Sequence, residues 1–192
     1  MQKIILLLSA ITIIGCNSTK EKQLVTQSVS EEMTSEIIND TVPYEESVML
    51  LGKANRKGLK MDAFKDWYQL GYESYQPDTE ILDSLKPLMK DINISLFMGT
   101  WCEDSQREVP FFYKIVDVTD FDESNLSLIA VSEEKTTPSG FENRLDITNV
   151  PTLIIYKDDV ELGRIVEYSI ETLEKDILTI LSGKEYKHAY AE

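Results

Sequence analysis

One cysteine in this sequence stands where a thiol is chemically useful. Cys102 lies in the run Trp101-Cys102-Glu103-Asp104-Ser105, between an apolar stretch at 92–98 and a stretch of helical spacing from Ser105 to about 118. A sulfur at a strand-to-helix junction meets the free N–H groups and partial positive charge of the helix start. These stabilise a thiolate, the form that attacks disulfides. Ser105, one turn on, can donate a hydrogen bond to the same sulfur. Glu103 and Asp104 oppose the thiolate with their own negative charge. They can serve as an acid–base pair for the leaving thiol, or simply as first-turn acids that complement the helix dipole. Because residue 105 is serine, a mixed disulfide on Cys102 has no partner thiol one turn away. Completion of any exchange then requires an external reductant, either a thiol of the client or a small thiol.

The second cysteine, Cys16, has a different context. Lys3 precedes an almost wholly apolar run at 4–14, which closes on Ile13-Ile14-Gly15-Cys16. About a dozen apolar residues are too few for a membrane span, which needs about twenty, and fit the core of a secretory signal instead. The closing residues resemble a bacterial lipobox. That resemblance implies a diacylglycerol thioether on Cys16 and cleavage before it, with residues 1–15 as the lipoprotein signal peptide. Several acyl chains anchor a protein far more firmly than one. The expected location is the cell envelope, on the membrane and facing the periplasm or extracellular side.

The chain has 192 residues, 34 acidic and 19 basic, for a net charge of −15. So negative a surface repels phosphate backbones, and no nucleic-acid partner is expected. Two cysteines and one histidine supply no zinc ligand set, and neither a metal nor a cofactor is expected. His188 reads as a surface residue of the tail.

Four segments follow from composition and period. After the signal, residues 16–45 carry the lipidated cysteine and a polar tether; as a random coil its roughly 27 residues would span about 25–30 Å. Residues 46–185 form the folded domain and 186–192 a C-terminal tail. Within the domain, 47–51 reads as a strand closed by Gly52. Helix follows at 62–75, with Phe64, Trp67, Tyr68, Gly71, Tyr72 and Tyr75 on one face, read as core. Asp78 caps a helix at 79–90, which Pro87 kinks. Then come strand 92–98, helix 105–118, strand 126–131, a short helix at 141–145, and strands 152–156 and 161–166 joined at Lys157-Asp158-Asp159. Ser169 caps a last helix at 170–181, stopped by Gly183. The order β-α-β-α then β-β-α predicts an α/β fold: a central mixed sheet with helices on both faces and an additional N-terminal helical segment.

On that order, Trp101-Cys102 at a strand-to-helix junction and Val150-Pro151-Thr152 at the start of a later strand resemble the thioredoxin superfamily, over residues from about 48 to 181. The resemblance implies that Cys102 is the exposed nucleophile, that Trp101 shields it, and that Pro151 is a cis-proline beside the sulfur. Val150 would offer its backbone to an extended substrate segment. The sequence departs from the family in having Ser105 for the second cysteine, Glu103-Asp104 for the usual Gly-Pro, and Asp158-Asp159 in the final hairpin turn. The implied activity is monothiol thiol–disulfide exchange with a cysteine-containing client or small thiol. A non-catalytic binding module that presents the groove beside Pro151 is the alternative.

Overall fold

The computed structural model describes residues 37–191. The signal sequence, Cys16 and most of the tether lie outside the described residues.

Strand structure is present ahead of the domain boundary expected at residue 46. Strand β1 (Thr41–Tyr44) pairs antiparallel with β2 (Ser47–Leu50). Just ahead of it, Asn39 Nδ2 donates to Asn55 Oδ1 and Asn55 N donates to Asn39 Oδ1, both at 2.9 Å. Asn39 is thereby tied to Asn55. The β1–β2 hairpin is a two-stranded sheet of its own, so 47–50 is not the first strand of the main sheet. The chain kinks at Gly52, whose φ of +92° favours glycine, and enters the main sheet as β3 (Gly52–Ala54).

The main sheet adds β4 (Asn93–Met98), β5 (Leu126–Ala130), β6 (Thr152–Lys157) and β7 (Val160–Val166), in the order β3-β5-β4-β6-β7. Only β4 and β5 pair in parallel. Strand β3 runs antiparallel to β5, so the chain leaves β3 and enters β4 at the same end of the sheet. No single long crossover helix is then required. The intervening residues instead form α1 (Arg56–Leu59), α2 (Lys65–Ser74) and α3 (Thr79–Leu85). Asp78 caps α3 by accepting from Glu80 and Ile81 N–H groups. The helix stops at Leu85, short of the expected 90; Lys86 keeps helical dihedrals, but Pro87 has no N–H to continue the ladder. The remaining helices are α4 (Glu103–Thr119) and α5 (Leu173–Leu181).

The period of two along the strands divides the apolar side chains between two faces. Ile94, Leu96 and Met98 of β4, Leu128 of β5, Leu153 and Ile155 of β6 and Ile165 of β7 pack with the helices in the larger cluster. Phe97, Ile129 and Ile154 face the other way and pack with Phe141, Leu145 and Ile147 of the β5–β6 connection. The short helix expected at 141–145 is a pair of turns, with Asn143 N donating to Gly140 O and Leu145 N to Glu142 O. The architecture is α/β, a mixed five-stranded sheet flanked by helices, consistent with a thioredoxin-like fold.

The ends of the last helix also differ from expectation. Helix α5 begins at Leu173 rather than 170, because Asp176, only 3% exposed, takes the N–H groups of Ile170 and Glu171 onto its carboxylate. Those two residues are bound as a cap and cannot be helical. Residues 186–191 are packed rather than a free tail: Tyr186 Oη donates to Asp176 at 2.8 Å, Tyr190 Oη bonds Glu167, and the Tyr190 ring lies edge-on to Tyr168.

Candidate functional site

Cys102 is the N-cap of α4, which begins two residues earlier than the sequence predicts. Its N–H donates to Gly99 O at 3.1 Å, and its carbonyl accepts the first helical bond, from Gln106 N, at 3.0 Å. The half-buried thiol makes no capping bond to the helix. It donates instead to the carbonyl of Val150 at 3.2 Å. The Val150–Pro151 peptide bond is cis. The topology explains the meeting: β4 and β6 are antiparallel neighbours, with Phe97 opposite Thr152, so the end of β4 and the start of β6 share one end of the sheet.

Ser105 is fully buried, and its Oγ accepts from Gly99 N at 3.2 Å. The bond expected from this hydroxyl to the Cys102 sulfur is replaced by one that closes the 99–105 loop on itself. Trp101 Nε1 donates to Val131 O at 2.9 Å, and the ring joins Cys102 in the smaller cluster. Gly99 makes this placement possible: a Cβ there would lie 2.4 Å from the indole. Thr100 links the loop to the N-terminal hairpin, its Oγ1 accepting from Leu50 N at 3.2 Å, and its carbonyl takes Gln106 Nε2 at 2.8 Å. None of these supports is legible as a motif; the glycine before Trp101 is the one sequence signal for them.

The first-turn acids separate into two environments. Glu103 is exposed, whereas Asp104 pairs with Arg107 at 2.7 Å. Arg107 also holds Glu108, at 2.9 Å. Glu108, with its side chain 12% exposed, is an acid the sequence reading missed. It lines a small hollow with Pro151, Glu167 and the apolar side chains of Leu96, Phe112 and Leu173. Its signal was a carboxylate at the residue directly before the buried Val109. On the far rim, Glu167 N donates to Pro151 O at 2.7 Å and its carboxylate accepts from Asn149 Nδ2 at 3.0 Å. Arg164 donates to Leu145 O at 2.7 Å. Glu167 and Arg164 tie the 145–149 segment to β7.

Burial pushes the Glu108 carboxyl above the ordinary carboxylate range, and Arg107 opposes that shift without cancelling it. A carboxyl whose folded value exceeds its unfolded value binds its proton more tightly in the folded state. Its ionisation therefore subtracts from stability as pH rises from the unfolded value through the folded one. Glu108→Gln is expected to raise the melting temperature at pH 7, and the gain should vanish below about pH 4, where both states are protonated. Melting curves of the two proteins across that range check it.

The arrangement provides a thiol at a helix start, half open to solvent, with a carbonyl as its hydrogen-bond acceptor and no second thiol among the described residues. Such a thiol can open a disulfide or be oxidised. It cannot close a disulfide with residue 105.

Comparison with known families and with curated proteins finds no match. Among solved structures, the chain is similar to a Pseudomonas aeruginosa protein of unknown function at 16% identity and a TM-score of 0.49, covering 64% of this chain and 86% of that one. It is also similar to oxidised mitochondrial thioredoxin 3 from Saccharomyces cerevisiae, at 20% identity and a TM-score of 0.31, covering 50% and 86%. A chain from a structure of thiol resolution in the yeast mitochondrial 1-Cys peroxiredoxin gives 21% identity and 0.31, covering 50% and 85%. At these values the likenesses assign neither family nor activity.

Proposed function

We propose that this chain is a membrane-tethered thioredoxin-like protein of the cell envelope that carries out thiol–disulfide exchange through Cys102 alone. The observation that carries the reading is the Cys102 sulfur, half open at the start of α4 and 3.2 Å from the Val150 carbonyl, with buried Ser105 at the position where a resolving thiol would stand. The Cys102 thiolate attacks one sulfur of a client disulfide. A Cys102–client disulfide forms, the other client sulfur leaves as a thiolate, and that thiolate takes up a proton. No electrons are gained or lost overall in this step. An external thiol, from the same client or a small molecule, then attacks the mixed disulfide and returns Cys102 to the reduced state. Isomerisation of clients and removal of small-thiol adducts both follow from this cycle.

The tether rests on the sequence at residues 13–16. Among the described residues, no helix is long and apolar enough to cross a membrane. Attachment is assigned to lipid on Cys16.

Intact-mass and peptide mass spectrometry of the protein purified from its own membranes tests both parts. Expected are a thiol-reversible adduct on Cys102 and a diacylglycerol thioether on Cys16. Cys102→Ser should lose the adduct and all mixed-disulfide capture. A wild-type protein that forms no mixed disulfide with any client or small disulfide, while Cys102→Ser still binds clients, would replace exchange with a binding role.

A further inference from the structure

Glu167 stands just past the end of β7 at a backbone φ of +69°, where a residue with a side chain is uncommon. Two of its groups reach the same short stretch of chain. Its N–H donates to Pro151 O at 2.7 Å, and its Oε2 accepts from Asn149 Nδ2 at 3.0 Å. Residues 149 and 151 flank Val150, whose carbonyl accepts from the Cys102 thiol at 3.2 Å. Glu167 is therefore a clamp on both sides of the group that bonds the reactive sulfur. Further bonds brace it. Thr152 Oγ1 donates to Asn149 O at 2.6 Å, so Asn149 is held by its backbone as well as its side chain. Tyr190 Oη donates to the same Oε2 of Glu167, and its ring lies edge-on to Tyr168 at 6.4 Å. The C-terminal segment is thus linked through Glu167 and Asn149 to the peptide that faces Cys102.

The consequence is chemical. A carbonyl oxygen accepts from S–H, and a thiolate has no proton to offer it. A hydrogen bond made only by the neutral form favours that form, and it is the thiolate that attacks a disulfide. Whatever fixes the Val150 carbonyl against the sulfur therefore restrains the thiol at rest. Strand β6 begins only at Thr152, and residues 131–151 contain no helix or strand. The place of Val150 is thus set on its N-terminal side by bonds such as those of Glu167, not by a regular element.

We infer that Glu167 is a positioning residue of the thiol site: it holds the Val150 carbonyl on the Cys102 thiol and so sets how readily the sulfur is released for attack. Its functional meaning rests on the exchange reading given above, which it deepens by naming a restraint on the same sulfur. The carboxylate acts through Asn149 and does not itself touch the reacting atom.

The test uses the full chain, reduced, with two readouts. The S–H stretch of Cys102, isolated by vibrational difference spectra against Cys102→Ser, reports the bond itself. The rate of alkylation by iodoacetamide at pH 7 reports release of the sulfur. Glu167→Gly removes the carboxylate, and glycine accepts the φ of +69° without strain. Asn149→Ala removes the other partner without changing any charge. Each should move the S–H stretch to higher frequency, toward that of a free thiol, and speed alkylation by about threefold, the scale of one modest hydrogen bond. Both variants lose the same bond, so the double variant should be no faster than either single one. Glu167→Gln keeps an oxygen that accepts from Asn149 and should keep the wild-type frequency, which separates the clamp from the charge. A stretch that stays put in Glu167→Gly and Asn149→Ala, or effects that simply add in the double variant, would overturn the inference. A stretch that moves as expected in a protein whose Cys102 forms no mixed disulfide would remove the exchange reading and leave the positioning of the thiol by Glu167 standing.

Discussion

Ser105→Cys is expected to convert this chain into a reductase that turns over. Residue 105 lies one helical turn from Cys102, and its side chain is wholly buried against the loop that carries Trp101. Serine to cysteine changes one atom, and a free cysteine is among the residues most easily buried. The cost is the bond from Gly99 N, since sulfur is a weak acceptor; a buried donor so weakened costs about 1–3 kcal/mol. The gain is chemical. After Cys102 attacks a substrate disulfide, the thiolate of the introduced cysteine attacks Cys102 Sγ and expels the second substrate thiol. Two electrons have passed to the substrate and the chain holds a 102–105 disulfide, which dithiothreitol can reduce. The expected result is insulin reduction that continues through many cycles and runs faster than in the wild type, whose mixed disulfide must wait for an external thiol. Intact mass should show the loss of two hydrogens on oxidation. A folded variant that neither closes the disulfide nor reduces insulin would mean that residues 102 and 105 do not meet as the helix start implies.

The chemistry of this site was more legible in the sequence than its supports. Trp101-Cys102 at a strand-to-helix junction and Val150-Pro151-Thr152 ahead of a strand carried the resemblance that implies a sulfur beside the 150–151 peptide, and the antiparallel pairing of β4 with β6 puts the two at one end of the sheet. What could not be read depended on contacts distant in sequence. Nothing local says that the Ser105 hydroxyl turns to Gly99 N rather than to the sulfur, or that Glu167 reaches Asn149. The strand expected at 47–51 was displaced from the main sheet for a similar reason. The run at 47–51 has the composition of a core strand, but a hairpin partner at 41–44 claims it, and the place in the main sheet falls to Gly52–Ala54. The start of α5 failed where a side chain, Asp176, competed with the helix for its own backbone donors. Each miss is a case of tertiary bonding overriding a sound local preference.

Charge should decide which disulfides reach Cys102, and the effect should be large. Glu103 is exposed next to the sulfur, Asp104 follows it, and Glu108 and Glu167 line the hollow beside Pro151, with Arg107 matched to two of these acids. Lys135 stands 5.7 Å over the Trp101 ring. Around this patch the whole chain carries −15. Fields of this kind alter encounter rates by about tenfold to a thousandfold at low salt. Cystamine, a dication, is therefore expected to modify Cys102 at least about tenfold faster than glutathione disulfide, a net dianion, at low ionic strength. The ratio should fall toward that of the intrinsic reactivities near 1 M salt, where the Debye length is about 3 Å. Stopped-flow rates of mixed-disulfide formation against salt measure it, and the salt dependence separates charge from leaving-group chemistry. Glu103→Gln with Asp104→Asn should narrow the gap without changing the rate for a neutral disulfide by a comparable factor. Equal rates for the two probes at low salt would remove charge as a selector. The expected ordering instead points to clients whose reactive cysteine is flanked by lysine or arginine, and away from glutathione as the preferred partner.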